Sequence, residues 1–323
     1  AIPLLGNTDI AKKITQAVYI ALLHRAPSIT ELEAAALQLI ESKQLVKVIK
    51  SMRQSTETQL LNSLERNKKA INFQASFLSE EKIVFFHIPK TGGTTINAAL
   101  LKNFRAEEVF NCYDNSISVN SSGTLARYRF FSGHFDLPNA TLIPGKKKII
   151  SFFREPISRL VSHYYFYRAI RPELVANLNH RFPALAHKYS LREFFESPEI
   201  RLHRSDVDNL MTRMLTGNYT DEAMDILPLA LKALNDLSVF GIMERYDESV
   251  KLIFNYLNLP LPDQLQSLNG LNQMMVSEPN MRPIAKEPLT DEVVNSMHDL
   301  IEADQIVYAE ALKLFKKRVQ ETA

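Results

Sequence analysis

Apolar positions fall into two regimes along the chain. From residue 9 to about 66 they recur at helical spacing: Ile14, Val18, Ala21 and Leu22, then Leu32, Ala35, Ala36, Leu39 and Ile40, then Leu45, Val48, Ile49 and Met52. Pro27 ends the first of these helices. Ser28 with Glu31, or Thr30 with Glu33, can form a capping box for the second. Between about residues 53 and 80 the pattern becomes polar and broken. From residue 82 short continuous apolar runs take over: KIVFFHI at 82–88, KKKIISFFR at 146–154 and LSVFGIME at 237–244. Runs of this length, rich in β-branched and aromatic residues, predict buried strands. Helical patterns separate them, at about 94–104, 156–170, 190–215, 220–235 and 246–257. Thr290 is placed to cap a final long helix, stapled by Leu289 and Val294, with Val293, Met297, Leu300 and Ile301 on its apolar face.

Strand alternating with helix predicts an α/β fold, a parallel sheet flanked by helices on both faces. The expected organisation is a small all-α accessory module at 1–66, a linker at 67–81 and the α/β domain at 82–323. The N-terminal helices carry no chemistry in their pattern and are expected to bind a protein or the chain's own main domain.

Composition narrows the field. At 323 residues with 46% hydrophobic and 23% charged residues, the chain reads as a soluble globular protein. A net charge of +2 gives no bulk field for nucleic acid, so any anion site must be local. The single cysteine, Cys112, excludes an intrachain disulfide and a cysteine zinc site, which fits a reducing, cytoplasmic setting. No apolar run reaches membrane-spanning length, and the N-terminus lacks the features of a signal peptide. The start lacks an initiator Met, so the alternative is a lumenal fragment of a membrane-anchored enzyme.

With glycine this scarce, the adjacent Gly92 and Gly93 in FFHIPKTGGTTI stand out. The stretch reads as strand, loop and helix start. There, backbone N–H groups and the positive end of a helix can converge on a phosphate. Thr94 and Thr95 offer hydroxyls, and Lys90 a compact cation. In a nucleotide-triphosphate loop the lysine follows the last glycine, and a Ser or Thr after it holds Mg²⁺. Here Lys90 precedes the glycines, and IISFF ends in Arg154 rather than an acid, so the expectation is an anion site without a metal. In SFFREPISRLVSHYYF, residues 151–166, a strand ends in Arg154, Pro156 suits a first helical turn, and Ser162 lies two turns further up. An arginine fork and a hydroxyl can clamp a second phosphate.

HIPKTGGTT with FFREPISRLVSHYYF resembles the sulfotransferases, most closely the carbohydrate type such as the heparan sulfate 2-O- and 6-O-sulfotransferases and their bacterial relatives. The resemblance covers about residues 82–318 and implies a P-loop-like fold. It implies that Lys90, Thr91, Gly92, Gly93, Thr94 and Thr95 bind the 5′-phosphosulfate of 3′-phosphoadenosine 5′-phosphosulfate (PAPS). Arg154 and Ser162 would then bind its 3′-phosphate. NMRPIAKEPLT, 280–290, occupies the place of a late basic loop over the nucleotide, which carries over Arg282 and Lys286. The implied reaction is transfer of a sulfuryl group to a hydroxyl of a glycan or glycoconjugate, with no metal and no nucleic acid.

In-line transfer to a hydroxyl needs a base and a group that stabilises charge on the leaving oxygen. Lys90 suits the second role. For the base, His134 follows an apolar run in FFSGHFDLP, which places it at the mouth of a strand, and the 2-O- and 6-O-enzymes use a His in a similar position. Asp136 could orient it. His87, His163 and Glu155 are rival bases, with structural roles as their alternatives. Asn209 and Arg213 in DNLMTRMLTG, and Arg168, Arg171, Arg181, Arg201 and Arg204, are candidates for the acceptor side or plain structural residues. The competing readings are a P-loop kinase or NTPase, which the lysine order opposes, and a non-catalytic glycan-binding protein.

Overall fold

The computed structural model describes residues 81–111, 116–175, 181–202, 206–262 and 280–322, together with Lys12, Thr15, Gln16, Ala35 and Ala36, all five helical. The expected N-terminal module is otherwise outside the described residues, as is the expected linker at 67–81 apart from Glu81.

A five-stranded sheet organises the chain from residue 82 onward. Its strands are β1 (Lys82–Phe86), β2 (Val109–Asn111), β3 (Phe130–Gly133), β4 (Lys147–Phe153) and β5 (Val239–Ile242), in the order β2-β3-β1-β4-β5. Every pairing is parallel. Three strands match the apolar runs, and β3 is the strand whose mouth His134 occupies. β2 was not anticipated: at three residues it is too short for any period to register. Every residue of β1 is buried, which is why its sequence runs apolar without alternation.

Helices between the strands include α1 (Gly93–Leu101), α2 (Pro156–Ala169), α3 (Arg181–Lys188), α4 (Leu191–Glu196), α5 (Leu210–Thr216) and α6 (Ala223–Asp236); after β5 come α7 (Tyr246–Leu257), α8 (Asp291–Asn295) and α9 (Glu302–Thr322). Among the described residues, no helix is long and apolar enough to cross a membrane.

Two expected helices are broken. The 190–215 pattern divides because Ser197 and Pro198 start a new short helix: the Ser197 hydroxyl accepts from Ile200 N, and Pro198 occupies the first turn. The terminal helix divides as well. Thr290 caps α8 by accepting from Val293 N, but the chain then tightens into a 3₁₀ turn at His298–Leu300 before α9 begins.

The main core lies on both faces of the sheet, from Val84, Phe85 and Phe86 out to Val307, Ala311 and Phe315 of α9. A second apolar cluster joins Leu160, Tyr164 and Tyr165 of α2 to Phe182, Leu191, Phe194 and Met297. Helix α2 is therefore held rigidly at the exit of β4. Since β1 lies between β3 and β4 in the sheet, the loops leaving these three strands share one edge, where ligands of open α/β sheets bind.

Candidate active site

The loop after β1 holds a strained shape. Lys90 has φ +68°, a left-handed backbone uncommon for a lysine, and Gly92 has φ +85° as the cap residue of α1. Among the described residues no side chain caps α1, which leaves the N–H groups of its first turn to the loop. The glycines serve packing within the protein as well. A Cβ at Gly92 would collide with Met243 Sδ, and one at Gly93 with the His87 ring. Two of the loop threonines already have partners. Buried Thr91 donates its hydroxyl to Ile88 O at 2.8 Å, and Thr95 bonds Tyr246, whose hydroxyl burial pushes up to about 12. Only Thr94 is exposed.

The sheet ladder continues past β1: His87 N donates to Gly133 O at 3.1 Å. That register brings His134 beside His87, with ring centroids 4.4 Å apart. His134 Nδ1 lies 2.7 Å from His87 O. A carbonyl only accepts, so Nδ1 carries the proton and the lone pair of the neutral ring is on Nε2. His87 is held well below the usual histidine range, first by burial, then by His134 and Lys90, so it stays neutral.

Arg154 closes the other side. Its Nη1 donates to Lys90 O at 3.0 Å, tying the end of β4 to the β1 loop. Its Nε is buried with no partner among the described residues. Burial lowers its pKa, while Glu244 and Glu155 oppose the shift. The Lys90 amine lies over the Phe166 ring, 4.1 Å from its centroid. Burial, then the charge of Arg154, brings it down to about 8. Phe166 sits one helical turn beyond Ser162 on α2, so the two share a face of that helix.

Two cations, a helix start with no described side-chain cap and a histidine whose Nδ1 is fixed on a carbonyl thus meet at the exits of adjacent parallel strands. The sulfotransferase family model matches residues 74–308, well over half of the chain. The chain belongs to the sulfotransferase family. No curated protein matches it.

The remaining expected residues of this sulfotransferase fall in different places. Asp136 accepts from Tyr219 Oη at 2.5 Å. Glu155 is committed as the cap of α2, accepting from Ile157 N at 3.0 Å and Ser158 N at 2.7 Å. That cap occupies the helix start, so an anion at Arg154 would rely on side chains rather than on the α2 terminus. His163 is buried against Tyr167, driven by burial to about 3, with Nδ1 unpartnered. Arg282 and Lys286 are exposed, and no described contact joins either to Lys90 or Arg154. Their segment is nonetheless pinned along α2: Arg282 N donates to Ala169 O at 2.8 Å, and Glu287 accepts from Tyr164 Oη at 3.0 Å.

Asn209 and Arg213 face inward rather than toward an acceptor. Arg213 is wholly buried, paired with Asp208 at 2.6 Å and bonded to the carbonyls of Asp208, Asn218 and Asp221. Asn209 Oδ1 accepts from Asp304 N at 3.0 Å. Arg168 and Arg201 also bond backbone carbonyls, Ala186 and Tyr189 for the first, Phe195 and Ser296 for the second. Arg204 lies outside the described residues. Three neighbours of the cleft escaped the sequence reading: Phe166, Met243 and Glu244. Met243 and Glu244 follow β5 directly, and a strand exit beside β4 was the signal that could have found them.

Proposed function

We propose that the protein is a PAPS-dependent O-sulfotransferase that transfers a sulfuryl group to a hydroxyl of a carbohydrate or glycoconjugate. The observation that supports this reading most is the bond from Arg154 to the Lys90 carbonyl, which ties the end of β4 to the β1 loop. The donor set suits a bis-anionic nucleotide. Arg154 Nε is a buried donor in need of an acceptor, Lys90 is a half-buried ammonium, and the first turn of α1 has no described side-chain cap. An unpartnered buried donor is costly, and an arriving oxyanion removes that cost.

In this reading the loop from Lys90 to Thr95 and the N-terminus of α1 hold the phosphosulfate end. Thr91 and Thr95 take part through their backbone N–H groups, since their hydroxyls are engaged elsewhere. Arg154 and Ser162 hold the 3′-phosphate, with Arg282 and Lys286 over the nucleotide. The bound donor supplies an activated sulfuryl group on a phosphate leaving group. His134 Nε2 takes the proton of the acceptor hydroxyl, and His87 O keeps Nδ1–H pointed away from the reaction. Lys90 offers positive charge where the phosphate oxygen becomes more negative. A saccharide acceptor follows from the likeness of the paired motifs and of SGHF to the carbohydrate sulfotransferases.

Calorimetric titration tests the nucleotide site. Adenosine 3′,5′-bisphosphate should bind more tightly than adenosine 5′-monophosphate, and Arg154→Ala should weaken the bisphosphate by about 10- to 100-fold. Equal wild-type affinity for the two nucleotides would refute the second cradle. Transfer of labelled sulfate from PAPS onto a panel of glycans tests the reaction. His134→Ala should lower turnover by about 10²- to 10⁴-fold while leaving bisphosphate affinity intact.

A further inference from the structure

Lys90 presents an electrostatic problem. Its amine is largely withdrawn from water, yet its neighbours are cationic or neutral. Arg154 faces it from the exit of β4, His87 from its own loop and His163 from α2. Of the carboxylates nearby, Glu155 caps α2, Glu244 accepts from Glu155 N and Tyr308 Oη, and Asp206 acts on His163 and Arg159. Burial of an ammonium without an acid normally forces it neutral or out to solvent. The feature that stands in for the acid is the face of Phe166, 4.1 Å from Nζ. The negative face of an aromatic ring attracts a cation, and more strongly where water is excluded.

We propose that Phe166 is the positioning residue for Lys90, holding its ammonium against α2 one turn beyond Ser162 so that an incoming phosphate oxygen meets a charged lysine that no carboxylate competes for. The proposal rests on the nucleotide reading of the cleft and deepens it. An acid partner would have to be displaced, or would repel the donor. A ring does neither, because the cation can keep its contact with the π-face while its N–H groups turn to an anion. The arrangement also explains why α2 carries an aromatic residue at its cleft edge rather than only in its apolar seam, where Tyr164 and Tyr165 lie.

The test compares Phe166→Leu with Phe166→Tyr. The rate of trace acetylation of Lys90, followed by peptide mass spectrometry across pH, reports the charge state of this one amine. In Phe166→Leu the amine keeps its burial but loses the ring, so its midpoint should fall by about one pH unit. Phe166→Tyr should restore the wild-type midpoint. An unchanged or raised midpoint in Phe166→Leu overturns the proposal, as does a Tyr variant that behaves like the Leu variant. Titration with adenosine 3′,5′-bisphosphate runs alongside: the Leu variant should bind several-fold more weakly and the Tyr variant normally. If the wild type fails to bind the bisphosphate, the nucleotide reading fails while the Lys90 midpoints still decide the role of the ring.

Discussion

Gly93→Ala is the sharpest test of how the cleft is assembled. Gly93 has ordinary helical backbone, so any penalty is steric rather than conformational. The new Cβ would stand 2.1 Å from Cδ2 and Nε2 of His87, and the ring would have to retreat by about 1.3 Å to reach the 3.4 Å of ordinary contact. His87 cannot yield freely, because its ring is stacked on Phe85, its N–H is bonded to Gly133 and its carbonyl holds His134. Overpacking of this kind costs about 1–3 kcal/mol, and the better helix propensity of alanine returns at most about 1. A 1 Å displacement passed to His134 is of the size that lowers turnover by about 10²-fold. Urea denaturation measures the first effect, sulfate transfer from PAPS the second. The decisive step is the double variant: in a His87→Ala background the obstructing ring is gone, so Gly93→Ala should become nearly neutral for stability. If Gly93→Ala costs the same with and without the His87 ring, the contact does not govern the loop.

Other outcomes follow from the same geometry. Lys90 titrates near 8 in the fold against an ordinary 10.5, so between those values the unfolded chain binds more protons and stability rises with pH. In urea melts, the wild type should therefore gain on Lys90→Met as pH goes from 8 to above 10, and a flat difference would contradict the burial of the amine. Arg213→Met leaves Asp208 without its buried partner and should destabilise by about 3–5 kcal/mol in the same assay. A variant with wild-type stability but a raised KM for acceptor would return Arg213 to the acceptor side.

What could be read from sequence was local. The loop at 85–96 and the Arg154–Ser162 helix were legible because strand, turn chemistry and helix start lie within a dozen residues. The same locality explains the failures. Asn209 and Arg213 share a helical spacing that suited an acceptor face, but Asn209's partners Asp299 and Asp304 lie some ninety residues on, and no pattern near 209 announces them. The break at Ser197–Pro198 was signalled by capping chemistry that the surrounding apolar periodicity obscured. Thr91 and Thr95 look like phosphate donors in one dimension; only the packed loop shows their hydroxyls turned to Ile88 O and Tyr246. The charge state of Lys90 depends on a ring in another element, so composition could not foretell it.

The left-handed turn at Lys90 has one more consequence. A lysine held there stores roughly 1–2 kcal/mol, and the Arg154 bond to its carbonyl is what resists relaxation of that peptide. Strain on one side and its latch on the other make the two halves of the cleft a linked equilibrium. Whatever fixes Arg154 also favours the taut form of the loop, and linkage requires the converse. Half-ligands offered separately, one bearing only the 3′-phosphate and one only the 5′ end, should each bind better in the presence of the other.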